Sequence, residues 1–199
     1  SVQVKPQIEE IKVPETKSDP YEGRQVIFEP NPGPQTEFLA SSEREVLYGG
    51  SAGGGKSYAM LADPLRYIMH PQFSGLLVRH TTEELRELVW KSQEPSGGRL
   101  WFSYLDREED VLRYQGLAFS WIGFDELTQW STPFAWNYLR SRLRTASPDL
   151  PIFMRATTNP GGIGHQWVKK MFIDPSPYNK SFWATDIETG DKLSYPKGH

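Results

Sequence analysis

One segment of the sequence has the residue types and spacing of a phosphate-binding loop. It fits the pattern G-x-x-x-x-G-K-[ST] and consists of the candidate nucleotide-binding residues Gly50, Ser51, Ala52, Gly53, Gly54, Gly55, Lys56 and Ser57. Glycines let the backbone bend around a phosphate and aim N–H groups at it, and a following helix adds partial positive charge. Lys56 is expected to reach the β- and γ-phosphates, and the Ser57 hydroxyl to ligate Mg²⁺. The alternative is a flexible glycine-rich turn, which a strand before the loop and a helix after it would disfavour.

The acidic pair Asp125-Glu126 is a second candidate group. It follows the apolar run Phe119–Phe124, which is typical of a strand covered on both faces. Ligands of open α/β sheets bind at the carboxyl ends of the strands, so we expect Asp125 to hold Mg²⁺ and Glu126 to polarise an attacking water. The alternative is an acidic turn exposed to solvent. The glutamate favours an ATPase over a GTPase, and the sequence has no Asn-Lys-x-Asp motif to read guanine.

A third polar group, Thr157-Thr158-Asn159, ends another predicted strand and precedes the turn Pro160-Gly161-Gly162. Hydroxyl and amide groups in this place would lie beside the γ-phosphate and its attacking water. They can then sense whether the phosphate is present and transmit that state. We therefore expect Asn159 to lie within hydrogen-bonding reach of the γ-phosphate. The alternative is that the Asn-Pro-Gly-Gly segment is only a turn.

Strands and helices alternate from Glu45 onward. The predicted strands are 45–48, 74–79, 117–124 and 150–156. The first predicted helix covers 56–69 and is kinked at Asp63 by Pro64. A second is capped by Thr82 and has Leu85, Leu88 and Val89 on its apolar face. A third begins at 131–133 and runs through Arg144. This alternation predicts an α/β three-layer fold around a largely parallel sheet. Residues 1–34 are rich in Pro and Glu without periodicity, so we expect an extended arm there and the domain over 35–199.

Composition narrows the classes of function. The 199 residues suffice for one α/β core, and the absence of cysteine excludes a disulfide scaffold, a Cys-ligated zinc site and a thiol nucleophile. No apolar run approaches the roughly 18–20 residues that span a bilayer, and the first residues do not resemble a signal peptide. We therefore expect a soluble intracellular protein without a membrane partner. The net charge of −3 argues against a domain that simply coats DNA, although cations outnumber acids between Trp136 and Lys170.

Five strings resemble, in order, the large terminase of tailed phages and prophages. They are YGGSAGGGKS, LLVRHTTEEL, YQGLAFSWIGFDELTQW, YLRSRLR and RATTNPGGIGHQWVKKMFIDP. The resemblance covers most of residues 30–176, and the last string is the most specific. It implies a P-loop NTPase fold of the additional-strand type. It also implies Mg²⁺-dependent ATP hydrolysis that drives double-stranded DNA into a procapsid.

The resemblance also implies particular roles and partners. Asn159 and Thr158 match the coupling motif, and Gln35 matches an adenine-reading glutamine, whose amide can both donate and accept; the alternative is that Gln35 is plain surface. The implied partners are a homo-oligomeric ring, the small terminase and the portal of the procapsid, in the cytoplasm of an infected bacterium. Large terminases carry a nuclease after the ATPase, and its acidic cluster is missing here, so we expect no DNA cleavage. The connector at 91–98 is shorter than in related sequences.

A motor of this class needs a cation at the γ-phosphate, often from a neighbouring subunit. The candidates are Arg79, Arg113, Arg140, Arg142, Arg144 and Arg155. In a helix that runs through Arg144, Arg142 flanks the buried side, while Arg140 and Arg144 share a stripe that could face solvent, a partner or DNA. This spacing leaves the choice among them open, and Arg142 is taken as the candidate catalytic arginine. A surface arginine is the alternative for each. We expect structural roles for His165 and for four tryptophans: Trp121, Trp130, Trp136 and Trp167.

Two other functions stay open. A P-loop kinase is disfavoured by Glu126 and by the lack of an arginine-rich lid. A nucleotide-gated assembly module would bind ATP without turnover, against which Lys56 and Glu126 argue.

Overall fold

The computed structural model describes residues 28–50, 55–80 and 97–175, and the backbone of 88–91, 182–185 and 192–195. The helices are α1 (Pro34–Ala40), α2 (Lys56–Leu65), α3 (Phe134–Arg140) and α4 (His165–Val168); shorter turns are the 3-10 helices Glu108–Tyr114 and Leu127–Gln129 and the π-helix Lys169–Ile173. The strands are β1 (Glu45–Tyr48), β2 (Ser74–His80), β3 (Leu88–Lys91), β4 (Arg99–Leu105), β5 (Trp121–Asp125), β6 (Phe153–Thr157), β7 (Phe182–Thr185) and β8 (Lys192–Tyr195). No helix within these ranges is long and apolar enough to cross a membrane.

Six strands form one sheet in the order β1-β6-β5-β2-β4-β3. The first five run parallel, and β3 runs antiparallel to β4 with Leu88 opposite Phe102. The strands β7 and β8 pair with each other in a separate antiparallel ladder. The carboxyl ends of the parallel strands therefore meet at one edge, where Asp125 and Thr157 end β5 and β6. The expectation of an α/β fold around a largely parallel sheet is confirmed.

Helices cover both faces of this sheet. Neighbouring residues of a strand point to opposite faces, so one strand packs against a different helix on each side. On one face, Ile122 and Phe124 of β5 belong to a buried cluster with Trp136 of α3. On the other face, Trp121 of β5 packs in a cluster with Met60 of α2. A helix-covered sheet of this kind holds the ends of its strands in fixed relative positions.

Several predicted boundaries are wrong. The helix predicted over 56–69 ends at Leu65, one residue after Pro64, and is not split at Asp63. The missing N–H of a proline weakens a helix, in keeping with an end at this point. The strand predicted over 117–124 begins only at Trp121, and the one over 150–156 begins at Phe153. The helix predicted through Arg144 ends at Arg140, so the helical stripes drawn for later residues do not exist.

Two predictions fail near the β3–β4 ladder. Leu88 and Val89 were expected on a helix and lie instead in β3, opposite Phe102 and Trp101 of β4. Thr82 and Leu85 lie outside the described residues. The strand β4 was not predicted. It pairs with residues 88–91, and this pairing favours an extended conformation there. Short apolar runs of this kind fit a strand or a helix equally well.

Candidate functional site

The candidate phosphate loop joins β1 to α2. Gly50 and Gly55 both have positive φ, of 128° and 68°, which glycine adopts without the steric cost that other residues meet. A Cβ atom on Gly55 would lie 2.6 Å from Nε2 of Gln35, so this position also lacks space for a side chain. The residues between these glycines lie outside the described residues: Ser51, Ala52, Gly53 and Gly54.

Lys56 and Ser57 open α2 directly after the loop. Lys56 is 8% exposed, and its Nζ donates to the carbonyl oxygen of Gly50 at 3.1 Å. Burial lowers the pKa of this ammonium group, and the negative charges of Asp125 and Glu126 partly offset that effect. The cation therefore lies within electrostatic reach of both carboxylates. Ser57 is exposed and lines the same cleft as Asp125.

The acidic pair lies at the carboxyl end of β5, next to β6. Asp125 is the last residue of the strand, and Glu126 follows in the left-handed conformation, with φ 57° and ψ 56°. The hydroxyl of Thr157 on β6 donates to Oδ1 of Asp125 at 2.6 Å and accepts the Glu126 N–H at 3.1 Å. One hydroxyl therefore orients the first carboxylate and fixes the strained backbone of the second residue.

Arg79 is the arginine that the fold brings to this pair. It lies on β2 directly beside Asp125 of β5. Its Nη2 is 3.0 Å from Oε1 of Glu126, and its Nε is 3.8 Å from Oδ2 of Asp125. Burial alone would lower the pKa of Arg79, but the hydrogen bond and charge of Glu126, together with Asp125, outweigh it and raise that pKa. The position of Arg79 near the end of a predicted strand was the signal that could have separated it from the other arginines.

The cleft beside these groups has a volume of about 310 Å³, with Ser57, Arg79, Tyr104 and Asp125 among its lining residues. Its oxygen donors fit Mg²⁺, which prefers oxygen ligands and typically takes one or two from protein carboxylates and the rest from water and phosphate. Thr157 occupies Oδ1 of Asp125, and Oδ2 is too far from Arg79 for a hydrogen bond. Among the described residues no cluster of three or more His, Cys, Asp or Glu side chains could hold a metal on its own.

Thr158 and Asn159 continue from the end of β6. The Thr158 hydroxyl lies 3.0 Å from that of Thr128, on the 3-10 helix that follows the acidic pair. The Asn159 carbonyl oxygen lies 3.3 Å from the same Thr128 hydroxyl. Oδ1 of Asn159 is buried and has no hydrogen-bond partner among the residues that the structure describes. Thr158 therefore links β6 to the segment after Glu126.

Gln35 is buried against the phosphate loop. It is 3% exposed, so the alternative of a surface glutamine is wrong. Its Oε1 accepts the Asn31 N–H at 2.6 Å, and its Nε2 donates to the Gly55 carbonyl at 2.8 Å. The amide thus connects α1 to the last residue of the loop and has one further N–H with which to bind a ligand.

Arg142 does not join the site within one chain. Its carbonyl accepts the N–H of Phe119, which precedes β5 and so lies at the end of that strand opposite Asp125. At about 3.3 Å per residue, the two ends lie roughly 20 Å apart. The Arg142 guanidinium lies over the ring of Tyr138, with its carbon 5.5 Å from the ring centroid.

Two of the cations counted in the 136–170 segment are internal. Arg140 pairs with the buried carboxylate of Glu45 at 2.9 Å, and Arg155 pairs with Asp63 at 3.3 Å. The cation excess of this segment is therefore not a continuous basic surface. The expected structural role of the tryptophans holds for Trp121, Trp130 and Trp136, each at most 1% exposed, and Trp167 is partly buried beside them. His165 accepts the Gly161 N–H at 3.3 Å.

No protein-family model, curated protein or solved structure matches this chain.

Proposed function

We propose that this chain hydrolyses ATP in a Mg²⁺-dependent reaction, as a P-loop NTPase domain of the additional-strand type. The observation that carries the proposal is the convergence of Lys56, Ser57, Asp125 and Glu126 at one edge of the sheet. Their order along the chain and their chemistry match what phosphate binding, metal binding and water activation require. The position of β6 between β1 and β5 supports the additional-strand type, because it separates the loop strand from the acidic strand.

Each group has a defined task in this reaction. The glycine loop and Lys56 bind the phosphates, and the partly buried ammonium interacts more strongly with them than an exposed one would. Ser57 and Asp125 would hold Mg²⁺, which would supply positive charge to the phosphates. Glu126 orients the attacking water and accepts hydrogen bonds from it. Asn159 follows β6 at the same edge of the sheet, where its amide N–H groups could donate to the γ-phosphate as a sensor requires.

The contact between Arg79 and Glu126 bears on how readily Glu126 orients water. Oε1 of Glu126 accepts from Arg79 at 3.0 Å, which takes up part of the hydrogen-bonding capacity of the carboxylate and leaves its second oxygen for water. Because this contact competes with water for Glu126, it is the specific observation that favours the second candidate, a nucleotide-gated assembly module with little turnover.

We further propose that hydrolysis drives double-stranded DNA into a procapsid, with the chain working as a ring together with the small terminase and portal. The proposal rests on the resemblance to large terminases of phages, which implies the cytoplasm of an infected bacterium. Any role of Arg142 at a γ-phosphate would require a neighbouring subunit, because its carbonyl is bound to Phe119, roughly 20 Å from Asp125 along the strand.

Replacement of the catalytic carboxylate tests the proposal. We expect Glu126→Gln to bind ATP as the parent does and to hydrolyse it roughly 10²–10⁴-fold more slowly, because the amide keeps the shape and loses the basicity. Turnover is measured with and without DNA and the assembled ring, and Glu109→Gln, an exposed acid, is the matched control. Parental turnover by Glu126→Gln rejects its assigned role. A parent chain that binds ATP without turnover under all conditions supports the assembly module instead.

A further inference from the structure

Asp63 is a fully buried carboxylate on α2, the helix that begins with Lys56 and Ser57. Its Oδ2 accepts the indole N–H of Trp121 on β5 at 2.8 Å and lies 3.3 Å from Nε of Arg155 on β6. Its Oδ1 accepts from Arg66, one turn further along the chain. A single side chain thus connects the phosphate-loop helix to the strand of the acidic pair and to the strand of the candidate sensor.

Arg155 extends this connection to the start of the sheet. Its guanidinium is fully buried and donates to the carbonyl oxygens of Glu43 at 2.7 Å and Ser41 at 3.0 Å, in the loop between α1 and β1. Its carbon lies 4.1 Å from the centroid of the Phe153 ring. Burial lowers the pKa of Arg155, and the charge of Asp63 partly offsets that effect. The resulting pKa of about 10 keeps the guanidinium protonated at neutral pH.

Stability alone gives little reason for this arrangement. The loss of hydration of two buried charges largely cancels their attraction, and well-packed apolar residues of similar size often serve a fold as well or better. An ion pair with hydrogen bonds differs from apolar packing because its contacts are directional. Such contacts restrict how far one element can rotate or slide against another.

The pair lies a short distance behind the candidate metal site. Asp63 follows Ser57 by six residues, or about 9 Å along the helix. Trp121 precedes Asp125 by four residues, or about 13 Å along the strand. A slide of α2 at Asp63 therefore moves Ser57 relative to Asp125 by a similar amount, because both elements are short and rigid.

We propose that Asp63, with Arg155, is a positioning residue that holds α2 in register with β5 and β6, so that Ser57 and Asp125 stay at the spacing that one Mg²⁺ requires. The inference rests on the proposed function, since it concerns the metal used in ATP binding. Residues that orient metal ligands typically change metal affinity by about 10–100-fold when they are replaced. Asp63 is assigned this kind of effect through the helix it holds.

The experiment measures the affinity for a non-hydrolysable ATP analogue, once with Mg²⁺ and once with EDTA. The ratio of the two affinities reports the metal contribution. We expect Asp63→Asn to lower this ratio by about tenfold or more. Its affinity in EDTA should stay at the parental value, because the loop and Lys56 are intact. Thermal unfolding is recorded for every variant, and binding is measured well below the lowest midpoint.

The control is Glu45→Gln, which removes the charge of the other buried carboxylate–arginine pair, with Arg140. That pair joins β1 to α3, whereas Asp63 joins α2 to the sheet, so the melting temperature should fall and the ratio should stay parental. A second variant, Asp63→Asn with Arg155→Met, removes both charges and so avoids an unpaired buried cation. It should recover stability relative to Asp63→Asn and still show the lowered ratio.

Either of two results overturns the inference. One is a parental ratio in a folded Asp63→Asn protein or in the double variant. The other is a double variant that does not fold while Glu45→Gln does, which assigns the pair to folding alone. Failure of the proposed function looks different, because the parent chain itself would then bind the analogue equally well with Mg²⁺ and with EDTA.

Discussion

Thr157 offers a sharp test of how the acidic pair is held in place. Its hydroxyl is buried between β5 and β6, where it donates to Asp125 and accepts the backbone N–H of Glu126. Thr157→Val keeps the branched shape and the packing of the side chain but removes the hydroxyl. Both contacts are lost together, and nothing in the substitution restores them.

The size of the effect follows from these two contacts. A hydrogen bond to a charged group contributes about 1.5–3 kcal/mol, and a buried N–H without a partner costs about 1–3 kcal/mol. We therefore expect the free energy of unfolding to fall by roughly 2.5–6 kcal/mol, which lowers the melting temperature by roughly 5–24 °C in a chain of this length. Turnover should fall by about 10²-fold, because a displacement of about 1 Å of a catalytic group can have that effect.

Urea unfolding measures the first quantity, and steady-state ATP hydrolysis measures the second. Thr157→Ser is the matched control, because it keeps the hydroxyl and removes only a methyl group. It should stay much closer to the parent than Thr157→Val in both assays. The reasoning fails if Thr157→Val lies within about 0.5 kcal/mol of the parent, the range of ordinary surface substitutions, and hydrolyses ATP at the parental rate.

Three other predictions concern the phosphate loop and the sensor. In calorimetry, Lys56→Ala should weaken ATP binding; parental affinity should fall as pH rises through the lowered pKa of Lys56, below that of an ordinary lysine, and the variant should lack this fall. Gly55→Ala should destabilise the fold and weaken ATP binding more than Gly116→Ala does, because both glycines have positive φ but only a side chain at Gly55 would crowd Gln35. Equal losses of unfolding free energy in urea would contradict this. In the assembled motor, Asn159→Ala should spare ATP binding and depress DNA packaging more than hydrolysis, and a structure with an ATP analogue in which Asn159 lies beyond one water from the γ-phosphate would refute the sensor role.

The groups that sequence reasoning could locate are those defined by a local pattern. Gly55 and Lys56 belong to one contiguous motif. Asp125 follows an apolar run that can be recognised as a strand without knowing which strands pair with it. The edge of the sheet at which these groups meet also follows from the sequence, because parallel strands align their carboxyl ends. This part of the site could therefore be predicted before any contact was known.

The remainder depends on contacts between distant segments. Whether Leu88 lies in a helix or a strand is decided by β4, which pairs with it. Helical spacing placed Arg142 beside the buried side of a helix, and that placement failed because α3 ends two residues earlier. The burial of Arg155 is likewise hidden in the sequence, since its partner Asp63 lies in another element. Charge counts do not distinguish a surface cation from a buried one.

The strand order has a consequence for the synthesis of the chain. Among the described strands of the central sheet, β1 pairs with β6 alone, so Val46, just ahead of the candidate phosphate loop, finds its neighbour in Arg155. A ribosome adds about 5–20 residues per second, so several seconds separate the emergence of the two strands. During that interval β1 lacks this partner in the sheet. The candidate nucleotide site is therefore expected to mature late, and if the proposed function holds, a nascent chain acquires ATP affinity only once β6 has emerged.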